Sequence, residues 1–137
     1  MIDQKRREIL GVAAVALTSG CISNDEPQVE IQEIEVVNLR DESVDVTIVA
    51  ERDDEIVYED TFEFDAIQGG STDGVNLKES WMGGEGDLVV TVSADSIDER
   101  SLSTVSLSQD YEDTECLSVL STIDTNGVKM YYSRGEC

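Results

Sequence analysis

The sequence contains no histidine, one proline, seven aromatic residues and nine basic residues against 31 acidic ones. The lack of histidine excludes a Ser-His-Asp triad, a Cys-His pair, a His-ligated zinc site and a blue-copper site. The net charge of −22 excludes electrostatic binding to nucleic acid, because the phosphate backbone would be repelled. The length of 137 residues allows one domain of ordinary size and leaves little room for a second.

The first twenty residues have the layout of a secretory signal peptide. Basic residues at positions 5–7 precede an apolar run at 9–17, and small residues follow at 18–20. Nine apolar residues span roughly 14 Å of helix, about half of a hydrocarbon core, which disfavours a transmembrane helix. We predict that residues 1–20 are a cleaved signal peptide, that 21–28 are a lipidated N-terminus and tether, and that 29–137 are the domain. The alternative is an uncleaved N-terminal helix with Cys21 as a free thiol.

Two motifs in this segment carry a resemblance to known export and lipidation signals. Arg6 and Arg7 resemble the pair of the twin-arginine export signal, with Ile9 where the consensus usually has Phe. The stretch Leu-Thr-Ser-Gly-Cys at 17–21 resembles a lipobox, with Leu17 one position further from the cysteine than is typical. With the acidic composition, these motifs resemble those of small surface lipoproteins of halophilic archaea. The resemblance implies export, a lipid on Cys21 and a location on the extracellular face of the cell membrane.

The acidic composition becomes more extreme once the signal segment is removed. Residues 21–137 contain 29 acidic and six basic residues, a net charge of −23 over 117 residues. Such a density causes strong self-repulsion at low salt, whereas molar salt shortens the screening length to about 3 Å. The composition is therefore typical of a halophilic surface.

The alternation of residues after position 28 predicts an all-β fold. Even positions are apolar in 44–50 and 88–94, and Ile56, Tyr58, Phe62 and Phe64 continue this pattern. A change of phase near position 32 predicts a bulge at Gln32-Glu33. Leu102, Val105 and Leu107 indicate another strand, and no window shows a sustained helical period. About seven to nine short antiparallel strands are typical of an immunoglobulin-like β-sandwich, with an open meander or a small barrel as alternatives.

The C-terminal residues predict a β-hairpin closed by a disulfide. Asn126-Gly127 is a strong signal for a two-residue type I′ turn, which would place Thr125 opposite Val128. The same register places Cys116 opposite Cys137, a pair whose Cα atoms would lie roughly 4.5 Å apart. A bridge there would contribute about 3 kcal/mol by the chain-entropy estimate. The alternative is two reduced, unrelated cysteines.

Acidic clusters, glycine-rich stretches and one tryptophan are the remaining candidate features. The acidic clusters lack the spacing of an EF-hand and are best explained as a solvated surface, so we predict no metal site and no cofactor. The loops at 68–74 and 80–86 lack the features of a P-loop. Trp81, in the second loop, is either a contact anchor for a partner or a residue that caps the core.

These observations predict a protein that is not an enzyme. We expect a non-catalytic, lipid-anchored binding or accessory module at the cell surface, with the membrane as one partner and a protein or ligand of unknown identity as another. The alternative is a small ligand- or divalent-cation-binding surface protein. A hydrolase that uses two carboxylates is a remote alternative, because such a mechanism needs a substrate cleft.

Overall fold

The computed structural model describes residues 29–95, 98–111 and 116–135, which form eight strands and one α-helix. A 3₁₀ turn covers Ser80–Met82, and helix α1 covers Thr104–Asp110. The strands are β1 (Glu30–Asn38), β2 (Val44–Arg52), β3 (Glu55–Phe64), β4 (Asp73–Leu77), β5 (Leu88–Ala94), β6 (Asp98–Ser103), β7 (Cys116–Asp124) and β8 (Gly127–Gly135).

The strands form two four-stranded sheets that pack face to face. The first sheet has the order β4-β1-β7-β8, and the second has the order β3-β2-β5-β6. Apolar side chains from both sheets form one buried core. The predicted β-sandwich is thereby confirmed, and two separate sheets replace the single meander or barrel considered as alternatives.

One pair of strands departs from the antiparallel expectation, because β1 and β7 are parallel. Parallel neighbours cannot be joined by a tight turn and need a long connection. Here the connection passes through β4 and through all four strands of the second sheet before the chain returns to the first sheet. Local periodicity carries no information about such a distant pairing.

Alternation places the aliphatic residues where the sequence predicts them. In β5, and in β2 from Val44 to Ala50, the even positions are buried, and Val46, Ile48, Val90 and Val92 are fully inaccessible. Full burial of such side chains is worth about 1.5–3 kcal/mol each. The register between β1 and β7 shifts between Ile31 and Glu33, so the predicted bulge is also confirmed.

In strand β3, only some of the even-numbered apolar residues lie toward the core, whereas the sequence predicts one continuous apolar face. Phe64 is buried, and Tyr58 and Phe62 pack against the core. Ile56 is 57% exposed, and the prediction that it faces the core is wrong. The physical reason is a register shift at this point of the β2–β3 pair, which places Ile56 opposite Glu51.

The C-terminal hairpin forms, but its turn differs from the prediction. Residues Thr125 and Asn126 occupy the turn, and Asp124 pairs with Gly127. Gly127 has a φ of 115°, whereas Asn126 is not among the described residues with positive φ. This pattern fits a type I turn followed by a glycine in a bulge, an alternative to the type I′ turn. The Asp124 side chain stabilises it by accepting a hydrogen bond from the Asn126 N–H at 2.7 Å.

The different turn shifts the hairpin register by two residues. Cys116 stands opposite Gly135, and the predicted alignment opposite Cys137 is wrong. Cys137 itself lies outside the described residues.

Helix α1 occupies a segment where the sequence indicated a strand. Leu102 does lie in β6, but Val105 and Leu107 are on α1. The preceding residue, Ser103, caps the helix, because its hydroxyl accepts a hydrogen bond from the backbone N–H of the third helical residue. At seven residues the helix is too short to show a sustained helical period.

Candidate functional site

The loop that carries Trp81 is held by the side chain of Arg52, at the end of β2. The guanidinium donates hydrogen bonds to the carbonyl oxygens of Trp81 and Glu85 at 2.8 Å. It also donates to the carbonyls of Gly83 and Gly86 at 3.0 Å. Four carbonyl dipoles thus surround one cation, which fixes the loop backbone without regular secondary structure.

Trp81 lies partly buried against the core. Its ring stacks on that of Tyr58, with 5.1 Å between the ring centroids. The indole Nε1 is buried and has no hydrogen-bond partner among the described residues. Burial, followed by the charges of Asp60 and Glu79, raises the pKa of Tyr58 above its ordinary value of 10.0, so its hydroxyl stays neutral. The role of Trp81 as a contact anchor stays a prediction.

An acidic pocket of about 410 Å³ lies beside this loop. It is lined by Glu51, Asp53, Asp54, Asp87 and Val89. The carboxylate of Asp87 already has structural partners, since it accepts hydrogen bonds from the Ser103 hydroxyl at 2.8 Å and the Val105 N–H at 3.2 Å. Within the described ranges, no group of three or more His, Cys, Asp or Glu side chains is arranged to hold a metal ion.

Arg40 organises the opposite end of the sandwich. Its Nε donates to the carbonyl of Asp124 at 3.0 Å, and its two Nη atoms pair with Asp95 and Asp98 at 3.1 and 3.2 Å. These partners lie at the end of β7, directly after β5 and at the start of β6, so one side chain connects the two sheets. With 12% of its side chain exposed, Arg40 is well shielded from solvent.

The surroundings of Asp124, at this end of the molecule, lower the pKa of its carboxyl group. The N–H of Asn126 is the main cause that holds the pKa of Asp124 below its ordinary value of 3.8. Lys129, at 3.4 Å, and Arg40 act in the same direction. The carboxylate is therefore stabilised in its charged form at neutral pH.

A second depression, of about 380 Å³, lies on the first sheet. Its residues include two partly exposed hydrophobic side chains, Leu120 at 37% and Tyr131 at 52% exposure, beside Glu33 and Glu35. Scattered exposed hydrophobic residues of this kind are ordinary for a soluble domain.

The other predicted site residues are distributed between described and undescribed parts of the chain. Cys116 is buried at the first position of β7. Arg6, Arg7, Cys21 and Cys137 lie outside the described residues, and so do the predicted signal peptide and tether. No helix in the described part of the chain is long and apolar enough to span a membrane.

Sequence reasoning did not identify the structural roles of Arg40 and Arg52. Both are single basic residues next to acidic turns, which looked like ordinary surface charges. Their partners are mainly backbone carbonyls and residues more than 25 positions away, which no local pattern encodes.

Comparisons of the chain with protein-family models, with curated proteins and with solved structures gave no match.

Proposed function

We propose that this chain is a non-catalytic, lipid-anchored β-sandwich protein on the outer face of a halophile's cell membrane, acting as a binding or accessory module. The observation that supports it best is the filled interior of the sandwich. Apolar side chains of both sheets occupy the space between them, so a ligand or partner has to bind at the loops, edges or outer faces.

The start of the described chain supports a defined orientation for an anchored domain. Val29 is 3% exposed, and its N–H donates to the hydroxyl of Ser108 on α1 at 3.0 Å. Glu30 accepts a hydrogen bond from Gly84 in the Trp81 loop at 3.3 Å. A short tether from Cys21 would hold this end of the sandwich near the membrane. The end organised by Arg40 would then face away from it.

A Cys116–Cys137 bridge and an immunoglobulin-like architecture are the finer parts of the proposal. Cys116 is buried at the first position of β7. We propose Cys137 as its partner, because in the sequence it follows Gly135, the residue opposite Cys116, by two positions. Eight strands in two packed sheets support an immunoglobulin-like sandwich.

Fractionation of a halophilic archaeal host that expresses the full chain tests the anchor and the export signal. We expect the wild-type protein in the membrane fraction and the Cys21→Ser variant in the medium. An Arg6→Lys, Arg7→Lys variant should stay in the cytoplasm. A Lys5→Gln variant is the control, since it alters a neighbouring charge without changing the arginine pair. Membrane association that is unchanged in Cys21→Ser would contradict the lipid anchor.

Intact mass spectrometry of the membrane-fraction protein tests processing and the bridge together. The expected mass is that of residues 21–137 plus lipid, and it should rise by about two hydrogens on reduction. A full-length mass without lipid, unchanged on reduction, would overturn both.

Binding of divalent cations is the second candidate function: four carboxylates line the acidic pocket, and because they are not arranged to hold a metal ion in the described structure, binding would require them to move. Calorimetric titration with Ca²⁺ at high KCl tests it. Saturable, stoichiometric binding that is lost in Asp54→Asn and kept in Asp41→Asn, an exposed control outside the pocket, would support it. Weak, non-saturating heat in all three proteins would exclude it.

A further inference from the structure

The edges of the two sheets meet along one side of the sandwich. β6 is the last strand of the second sheet, β8 is the last strand of the first, and the two pack against each other. At one end of this junction, Gly127 approaches the side chain of Asp98 so closely that an added Cβ would lie 3.7 Å from its Cγ. We call the junction the β6–β8 seam.

The seam gathers most of the positive charge of the described chain. Of the six basic residues in the described ranges, four lie on these two strands or bond to them: Arg40, Arg100, Lys129 and Arg134. Arg40 and Lys129 are neutralised by aspartates. Arg100 and Arg134 form no ion pair with any described residue, although the chain is rich in carboxylates.

Two tyrosines lie close to these two arginines. The guanidinium carbon of Arg134 lies 5.8 Å from the centroid of the Tyr111 ring. The rings of Tyr111 and Tyr132 are 6.3 Å apart and tilted by 58°. Arg100 is near enough to Tyr132 to oppose the increase that burial causes in the pKa of its hydroxyl. That hydroxyl donates to the Met130 sulfur at 3.7 Å and keeps its oxygen available as an acceptor.

We propose that the β6–β8 seam binds an acidic polysaccharide through Arg100, Arg134 and the two tyrosine rings. Guanidinium groups pair in a planar, bidentate manner with carboxylate or sulfate groups. Tyrosine rings offer flat apolar faces with a polar edge, which suit the C–H faces and hydroxyls of a sugar ring. Two cations beside two rings match a chain in which charged groups alternate with sugar rings.

High salt allows an acidic ligand to approach this acidic domain, because it screens the repulsion between them. At low ionic strength, repulsion would act over tens of ångströms, but in molar salt the screening length is about 3 Å. Direct contacts at hydrogen-bond distance then decide binding, and they would come from Arg100 and Arg134, which have no ion pair within the described ranges. The inference deepens the proposed surface-module function and rests on it.

Titration at 2 M KCl with purified residues 21–137 tests the proposal. The probes are polygalacturonate for carboxylate, heparin for sulfate, neutral dextran as the uncharged control and poly-L-glutamate as an acidic peptide. We expect the domain to bind at least one acidic polysaccharide and not dextran. The stronger of the two responses identifies the anionic group. Tighter binding of poly-L-glutamate than of both polysaccharides would overturn the saccharide assignment.

Single charge variants locate the binding to the seam. Arg100→Gln and Arg134→Gln should each raise Kd about tenfold, the loss of one well-formed ionic contact. Lys78→Gln removes an equal charge away from the seam and should change Kd by less than about twofold. Equal effects of all three variants, or none, would overturn the proposal. Because the anchor is tested by fractionation, failure of binding here leaves that result unaffected, and the two proposals fail separately.

Discussion

Replacement of Asn38 is expected to destabilise the domain more than any other single polar change at the end organised by Arg40. Asn38 is fully buried at the end of β1. Its Nδ2 donates to the carbonyls of Glu42 and Asp65, and its Oδ1 accepts from the Arg40 N–H, all at 3.0 Å. One amide therefore joins the end of β1, the β1–β2 loop and the segment after β3.

The magnitude follows from these contacts. Three hydrogen bonds at about 1 kcal/mol each, together with the space that a smaller side chain leaves, give about 3–5 kcal/mol for Asn38→Ala. Domains of this kind are stable by about 5–15 kcal/mol, so the variant loses a large share of its stability. With a urea slope of about 2 kcal/mol per molar, the unfolding midpoint should fall by about 2 M.

Urea unfolding at constant high KCl, followed by the fluorescence of Trp81, is the assay, since the chain has a single tryptophan. Asn76→Ala is the matched control. Asn76 is exposed and donates to Glu33 at 2.6 Å on the protein surface, so we expect a change within about 0.5 kcal/mol. A loss below about 1 kcal/mol in Asn38→Ala would refute the role assigned to this amide.

The Asn38→Asp variant separates hydrogen bonding from packing, because the two side chains have nearly the same shape. The carboxylate would direct an acceptor at two carbonyl oxygens in a buried site, which raises its folded-state pKa above the unfolded value of about 3.9. Its penalty relative to wild type should be smallest below about pH 4 and should grow as pH rises towards the folded-state pKa. A penalty that is independent of pH would contradict this explanation.

Three further changes test other parts of the structure. The hydroxyl of Ser121 is fully buried with no hydrogen-bond partner among the described residues, so Ser121→Ala should raise stability by about 1 kcal/mol in urea unfolding, and a loss would contradict it. A Cβ at Gly74 would overlap the carbonyl oxygen of Val36, so Gly74→Ala should lower the melting temperature by about 10 °C, whereas an unchanged value would show that β4 can move away. Because the Asn126 N–H lowers the folded-state pKa of Asp124, this carboxylate stabilises the fold above about pH 4 and loses that effect as pH falls through its folded-state pKa. Asp124→Asn should remove this part of the pH dependence, and an NMR titration of Asp124 at an ordinary pKa would refute the assignment.

The features that the sequence predicts correctly are those set by local periodicity. The aliphatic faces of β2 and β5 follow from alternation alone, because side chains two positions apart on a strand lie on the same face of the sheet. The bulge near Gln32 follows from the same rule, since two alternating segments of opposite phase need one extra residue between them. These inferences need no knowledge of which strands are neighbours.

The C-terminal turn shows where local rules become ambiguous. Asp-Thr-Asn-Gly is compatible with a type I′ turn at Asn126-Gly127 and with a type I turn at Thr125-Asn126 followed by a glycine bulge. The side chain of Asp124 decides between them, because it holds the Asn126 N–H. When the turn moves by one residue, the pairing partner of every residue in the hairpin moves by two positions, and the partner of Cys116 moves with the others.

Candidate sites are harder to predict than strands, because they depend on contacts between distant segments. From residue 21 onward the sequence shows six bases spread singly among the acids, whereas the fold brings four of them to one seam and leaves two of those without a carboxylate partner among the described residues. Trp81 stands out in the sequence as the only tryptophan, but its placement against the core depends on the four hydrogen bonds from Arg52 to its loop.

The short contacts of Arg40 and Arg52 help to explain how so acidic a chain can keep a fixed structure. Arg40 and Arg52 direct their charges at carbonyls and carboxylates within about 3 Å, a distance that molar salt does not screen effectively. Repulsion between acidic side chains on different faces acts over much longer distances and is largely removed by the same salt. High salt should therefore suppress the long-range repulsion while leaving these contacts in place. The core itself needs no charge, since it is built from apolar side chains of both sheets.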